Sequence, residues 1–329
     1  MTMSPTPTPP VTGIIYVSRL LTDRAMSHLH SLGAQLRIGS EAPPDRAELE
    51  AGIAGANAAI ITLTERVDAD LLIAAGPQLK VVANVAVGFD NIDVSAAEAA
   101  GVIVTNTPGV LDRASADHTF ALILDATRRI TEGDRLIRDR QPWVWGPRML
   151  VGLDISAGTT LGILGYGRIG QAVARRAHAF DMTVIASSRS RTPGSAENGV
   201  TFVDTSTLLA ESDVVTIHTP LTAETHHLID GAALQTMKPT AYLINTARGG
   251  VVDEDALIAA LHSGEIRGAA LDVFEGEPRV NPALLDAPGL VLTPHIASAG
   301  EATRDTMGIL AVDNVVAVLA GAPPLTPVR

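Results

Sequence analysis

Residues Leu161–Ala174 read LGILGYGRIGQAVA. The first four residues form a short apolar strand, and Gly165-Tyr166-Gly167-Arg168-Ile169-Gly170 is a G-x-G-x-x-G turn. The stretch that follows carries Ile169, Ala172, Val173, Ala177 and Phe180 at helical spacing along one face. A strand, a glycine turn and a helix in that order give each glycine a job. One makes the tight turn, one lets backbone approach a pyrophosphate, and one lets helix and strand pack closely. The helix then opens with N–H groups aimed at the phosphates. The stretch predicts a dinucleotide-binding turn of a doubly wound fold, with Gly165, Gly167, Arg168 and Ile169 against the cofactor. A glycine-rich turn without a ligand is the plainer alternative.

The end of the next strand bears on which dinucleotide is bound. A unit that takes NADH commonly places an acid there, to accept a hydrogen bond from the ribose 2′-OH. Here Val184-Ile185-Ala186 runs into Ser187-Ser188-Arg189-Ser190-Arg191-Thr192, with no acid. Ser188, Arg189 and Arg191 suit a 2′-phosphate, which guanidinium binds through forked, charge-assisted hydrogen bonds. NADPH is therefore expected over NADH, with a solvated polar loop as the alternative.

Around this turn the chain alternates strands and helices twice. From Gly13 to Asn106 the apolar runs are Gly13–Val17, Gln35–Ile38, Ala58–Thr62, Lys80–Val85 and Val102–Asn106. Helical segments Asp23–Leu32, Asp45–Ala54, Asp68–Ala75 and Asp93–Ala100 lie between them, three of them opening near an Asp placed to cap an N-terminus. A second series from Thr160 to His295 has strands LGIL, TVIAS, DVVTIH, AYLINTA, GAALDV and LVLTPH. Apolar strands alternating with helices mean parallel sheets covered on both faces. The fold class is thus α/β, with two doubly wound parallel-sheet domains. Ala114–Arg140 reads as one long helix, Pro142–Leu153 as a loop with two Trp, and Thr303–Leu319 as a last helix.

Composition narrows the function. A length of 329 residues is about twice a usual domain of roughly 150. A formal charge of −12 argues against nucleic acid or an anionic membrane as partner. There is no Cys, which excludes disulfides, a thiolate nucleophile and thiolate metal sites. Only Lys80 and Lys238 are lysines, so Schiff-base chemistry would have to use one of those two. His226 and His227 are adjacent, His28 and His30 are two apart, and there is no H-E-x-x-H, so no metal site is expected. Met1–Pro10 lacks the basic and apolar regions of a signal peptide and reads as a tail, which makes cytoplasmic the expected location.

Three ionisable residues end strands of the second series: Arg248 in INTARGG, Glu277 in FEGEP and His295 in LVLTPH. Ligands of open α/β sheets bind outside the carboxyl ends of the strands, so all three are placed for one crevice. Each alone has a plain reading as an ion pair, a surface turn or a hydrogen-bonded loop His. Together they match what reduction of a carbonyl needs. The oxygen gains negative charge and wants a proton donor titrating near neutrality, as His does. A carboxylate beside it favours imidazolium and holds one tautomer. A fixed Arg clamps a 2-oxo carboxylate.

The chain resembles the D-isomer-specific 2-hydroxyacid dehydrogenases, most closely their glyoxylate/hydroxypyruvate reductase branch. The motifs are VANVAVGFDNIDV (Val81–Val94), LGILGYGRIGQAVA, HTPLTAET (His218–Thr225), INTARGGVVDEDAL (Ile244–Leu257), ALDVFEGEP (Ala270–Pro278) and TPHIASA (Thr293–Ala299). The resemblance implies His295 as acid/base, Glu277 as its partner and Arg248 as the substrate Arg. It sets Asp272, Thr246, Ala247 and Pro220 beside the cofactor, and Val87, Gly88 and Ser298 beside the substrate. It implies a flavodoxin-like substrate domain of residues 13–111 with 300–329, and a Rossmann cofactor domain of residues 112–299. Residues 1–12 are left as a tail. It also implies a homodimer, with Trp145 reaching the neighbouring subunit's active site; an ordinary interface aromatic is the alternative. The expected reaction is NADPH-dependent reduction of glyoxylate to glycolate or hydroxypyruvate to D-glycerate. The alternatives are a bulkier 2-oxo acid and a dinucleotide-sensing, corepressor-like binding protein. The departure of Ala297 from the usual Gly leaves the expected function unchanged.

Overall fold

The computed structural model describes residues 12–156 and 158–328; apart from Thr12, the expected tail lies outside them. The chain divides into two compact units, one ending at Leu111 and resuming at Ala299, the other spanning Asp112–Ser298.

The first unit alternates β1 (Ile14–Val17), α1 (Asp23–Ser31), β2 (Gln35–Ile38), α2 (Arg46–Ile53), β3 (Ala58–Ile61), α3 (Ala69–Ala75), β4 (Val81–Asn84), α4 (Val94–Ala99) and β5 (Ile103–Thr105). Its five strands are all parallel in the order β2-β1-β3-β4-β5, the flavodoxin-like arrangement. The central strands β3 and β4 are buried along their whole length, as a sheet covered on both faces requires. Asp45, Asp68 and Asp93 cap α2, α3 and α4 by accepting the backbone N–H three residues on. Asp23 does not cap: it is the first helical residue of α1, after Thr22. It sits instead where an acid favours the positive helix end.

The second unit opens with α5 (Asp112–Arg128) and α6 (Ile130–Arg138), then β6 (Thr160–Leu164), α7 (Arg168–Ala179), β7 (Thr183–Ser187), β8 (Ala196–Glu197), β9 (Val200–Phe202), α8 (Thr205–Glu211) and β10 (Val214–Ile217). It continues with α9 (Gly231–Thr236), β11 (Tyr242–Asn245), α10 (Glu254–Ser263), β12 (Gly268–Leu271), α11 (Pro282–Leu285) and β13 (Leu290–Leu292). The sheet order is β13-β12-β11-β10-β6-β7-β9-β8, parallel except for β8. Chain order reverses between β6 and its neighbour β10, the switch point where doubly wound sheets open a crevice.

Within this unit, two features depart most from the sequence-based expectation. Ala114–Arg140 is not one helix, because Arg129 takes a left-handed conformation (φ 57°) and starts α6 afresh. The Asp125 side chain caps the new start by accepting from Thr131 N at 2.7 Å, and Leu153 N donates to the Thr127 carbonyl at 2.8 Å. The late loop thus satisfies the end of α5, where continuing the helix would otherwise do so. The hairpin of β8 and β9 is the second feature; strands this short carry no periodic signal.

The last helix, α12 (Glu301–Leu319), starts two residues earlier than periodicity places it and belongs to the first unit. It packs on α1, β3 and β4, and His28 on α1 meets Asp313 at 2.7 Å. Among the described residues no helix is long and apolar enough to cross a membrane.

Candidate active site

The site is built at the carboxyl ends of the strands of the second unit. After β6, Gly165 has φ +96°, and a Cβ there would lie 2.7 Å from the His218 carbonyl carbon. A Cβ at Gly170 would meet the Gly165 carbonyl oxygen at 2.3 Å, so the first turn of α7 can lie against the turn only as glycine. Gly167 is different: a Cβ there would meet no atom within 4 Å. The protein's own packing makes no demand for glycine at that position.

His295 and Glu277 are brought together. Glu277 Oε2 is 2.7 Å from His295 Nδ1, and Glu277 Oε1 accepts from Phe274 N at 2.8 Å. Both side chains are about three-quarters buried, at 22% and 24% exposure. The pairing leaves the far edge of the imidazole, with Nε2, as the edge not turned to Glu277.

The backbone at His295 is left-handed (φ 53°), a conformation that costs a non-glycine residue about 1–3 kcal/mol. Asp272, fully buried after β12, holds it. Its carbonyl accepts from His295 N at 2.7 Å, and its carboxylate accepts from Ile296 N (2.9 Å), Ala297 N (2.8 Å) and Thr293 Oγ1 (2.6 Å). His118 Nε2, on α5, adds a contact at 3.2 Å. Burial alone would raise the Asp272 carboxyl, but the bonds from His118, Thr293 and the two amides outweigh it and hold it below the usual range.

Arg248 follows β11 in extended backbone and leads into a 3-10 turn, Gly249–Val251. The buried Asn245 side chain shapes this bend from inside: its Oδ1 accepts from Ala247 N at 3.0 Å and its Nδ2 donates to the Arg248 carbonyl at 2.9 Å. Arg248 is half-buried, and its Nη1 donates to the Ala247 carbonyl at 2.8 Å. Thr246 Oγ1 lies 3.0 Å from Thr119 Oγ1 of α5.

The expected 2′-phosphate loop follows β7. Arg189 is exposed, Ser188 is half-buried, and Arg191 is held by Glu197 of β8, Nε to Oε2 at 2.8 Å. Arg191 also lies 5.9 Å above the Phe202 ring. Pro220 is exposed and Ser298 half-buried. Val87 and Gly88 belong to the first unit, where Asn106 and Asn84 amides take their carbonyls at 2.7 and 2.8 Å. Trp145 is 78% exposed.

Asn245, His118 and Glu197 are parts of this arrangement that the sequence reading does not single out. Asn245 carried a signal, a polar residue closing an apolar strand; the other two act across the fold. Among the described residues one set of side chains, His226, His227 and Glu275, brings three potential ligand atoms within 4.8 Å of one another. Its two imidazoles are stacked, with ring centroids 4.0 Å apart and 29° between the planes.

Comparison with known proteins gives the family. The family model described as D-isomer specific 2-hydroxyacid dehydrogenase, NAD binding domain, matches residues 120–297. The chain is 47% identical over 317 residues to a glyoxylate reductase of Thermococcus litoralis, covering 94% of this chain and 95% of the relative. A Thermus thermophilus protein of known structure superposes with a TM-score of 0.90 at 43% identity, over 96% of this chain and 100% of that one. An NADPH-dependent glyoxylate/hydroxypyruvate reductase of Sinorhizobium meliloti, solved with NADP and malonate, gives 0.82 at 34% identity, over 96% of each chain.

Proposed function

Since this chain belongs to the D-isomer-specific 2-hydroxyacid dehydrogenase family, we propose that it reduces a small 2-oxo acid, glyoxylate or hydroxypyruvate, with NADPH as reductant. The observation that carries the reading is the His295–Glu277 pair at 2.7 Å, held at the strand ends of a sheet with a dinucleotide turn. The names borne by relatives supply the substrate class.

The turn fits a dinucleotide. Gly165 and Gly170 are required by the protein's own backbone, whereas the open space over Gly167 is what a pyrophosphate approaching the backbone needs. Gly167, Arg168 and Ile169 would hold the phosphates at the start of α7, Thr246, Ala247 and Asp272 would border the nicotinamide, and Pro220 would line the cofactor site. Arg189 and Arg191, with Ser188, would hold the 2′-phosphate, and Glu197 and Phe202 fix Arg191 in the loop. When bound, the reduced cofactor supplies the hydride.

The chain supplies the rest. Arg248 fixes the substrate carboxylate, with the Ser298 loop as a further contact. His295, oriented through Nδ1 by Glu277, gives the Nε2 proton to the carbonyl oxygen as it becomes an alkoxide. Asp272 keeps the turn that presents His295 in its left-handed conformation. Two copies of the chain form a homodimer through the apolar arm around α6, with Trp145 contributed to the neighbour's site.

Initial rates with glyoxylate and hydroxypyruvate, each with NADPH and NADH, test this directly. NADPH is expected to be preferred by the parent and the preference to be lost in Arg189→Ala. Equal use of both cofactors by the parent would remove the 2′-phosphate assignment. No turnover of either acid would remove the substrate assignment.

A further inference from the structure

The segment carrying Arg248 and the segment carrying Glu277 are coupled by a carboxylate outside the triad. Glu254, the first residue of α10, is only 6% exposed, and its Oε1 accepts the backbone N–H of Glu275 at 2.6 Å. Glu275 is two residues before Glu277. Taking a carboxylate out of water is costly, and this one is worse placed than most: burial, then Glu275, Asp255 and Glu277, push its pKa upward against the hydrogen bond it accepts. Helix capping does not explain it, because Asp253 already caps α10 by accepting from Ala256 N at 3.0 Å.

What the carboxylate does is visible in its surroundings. A Cβ at Gly249 would lie 1.9 Å from the Phe274 carbonyl carbon, so the two segments touch backbone to backbone. Glu275 is held from the other side as well: its carboxylate lies 3.2 Å from His227 Nε2, and His227 N donates to the Gly250 carbonyl at 2.8 Å. The next links are Phe274 N to Glu277 Oε1 and Glu277 Oε2 to His295 Nδ1. An unbroken series of contacts therefore runs from the turn after Arg248 to the imidazole.

We propose that Glu254 is a positioning residue, which sets Glu277, and through it His295, at a fixed place relative to Arg248. This rests on the roles assigned to those three residues above. Misplacement by about 1 Å can cost on the order of 100-fold in rate, so the effect falls on turnover and on substrate, not on cofactor binding.

The test compares Glu254→Ala with Glu254→Gln, since Gln retains an acceptor oxygen of nearly the same shape. For Ala, kcat is expected to fall about 10- to 100-fold and KM for the 2-oxo acid to rise, with NADPH affinity by fluorescence titration within about twofold of the parent. The Gln variant is expected to recover most of kcat. Parent-like kinetics in Glu254→Ala would overturn the proposal. So would equal losses in both variants accompanied by weakened NADPH binding, which would mean a merely structural role. A parent-like His295→Ala enzyme would instead overturn the triad reading itself, so the two failures are distinguishable.

Discussion

At the scale of single residues, the proposed chemistry rests on an imidazole held in a strained place. His295 spends backbone conformational energy, and Asp272 and Glu277 return it through hydrogen bonds to the turn and the ring. His295→Gln is expected to lower kcat by about 10²- to 10⁴-fold, the usual contribution of general acid–base catalysis, while NADPH binding measured by fluorescence stays near the parent's. Arg248→Ala is expected to raise KM for the 2-oxo acid as well as lower kcat, because the clamp acts in both the bound and the reacting state. Steady-state kinetics separate the two patterns, and a histidine variant with near-parent turnover would contradict the assignment. A second histidine makes a different prediction. Desolvation pushes His218 down to about 3 from 6.5, and its Nε2 rests 3.0 Å from Thr216 Oγ1. As pH falls through this window the unfolded chain takes up a proton that the folded chain refuses, so stability is fully present above 6.5 and declines toward 3. Urea midpoints at pH 7 and pH 5 should therefore differ more for the parent than for His218→Gln. Equal pH dependence in the two proteins would contradict it.

At the scale of elements, the glycine turn separates what folding requires from what a ligand requires. Gly170→Ala forces a Cβ against the Gly165 carbonyl and is expected to cost about 1–3 kcal/mol of stability. Gly167→Ala meets open space, so its Tm should match the parent's while NADPH affinity drops. Thermal denaturation with cofactor titration would show the split; loss of stability in both variants would mean that the second glycine is structural. This turn, the strands and most helices were legible because their signals are local: continuous apolar runs, helical spacing, and Asp residues three positions before the amide they cap. Arg248, Glu277 and His295 were read from the sequence as lying at strand ends; they lie in the loops that follow β11, β12 and β13, and the structure supplies the contact between the last two. The rest was hidden because it depends on distant partners. The break at Arg129 exists because Leu153 takes the Thr127 carbonyl, 26 residues along the chain. Arg191 looks like an unattached cation until the hairpin brings up Glu197. His118 and Asp272 are 154 residues apart in sequence and 3.2 Å apart in space.

At the scale of the whole molecule, an acidic chain of −12 exposes a run of large apolar side chains in and after α6. Ile130, Ile137, Trp143, Val144, Trp145 and Val151 are each more than half exposed, and none of the residues of α6 is buried. Apolar side chains scattered singly are ordinary, but six exposed within 22 residues of sequence make this segment the place to test for a covering protein surface. The homodimer and the Trp145 contribution proposed above can be tested on this segment. Two substitutions separate assembly from catalysis. Ile137→Glu places a charge in the patch and is expected to shift the chain from dimer to monomer by light scattering. Trp145→Ala removes a side chain that is 78% exposed in one copy, so the dimer should persist while KM for the 2-oxo acid rises several-fold. A parent that is monomeric at micromolar concentration would refute both expectations. A dimeric Trp145→Ala enzyme with parent kinetics would leave Trp145 as an interface aromatic, and the substrate pocket complete within one chain.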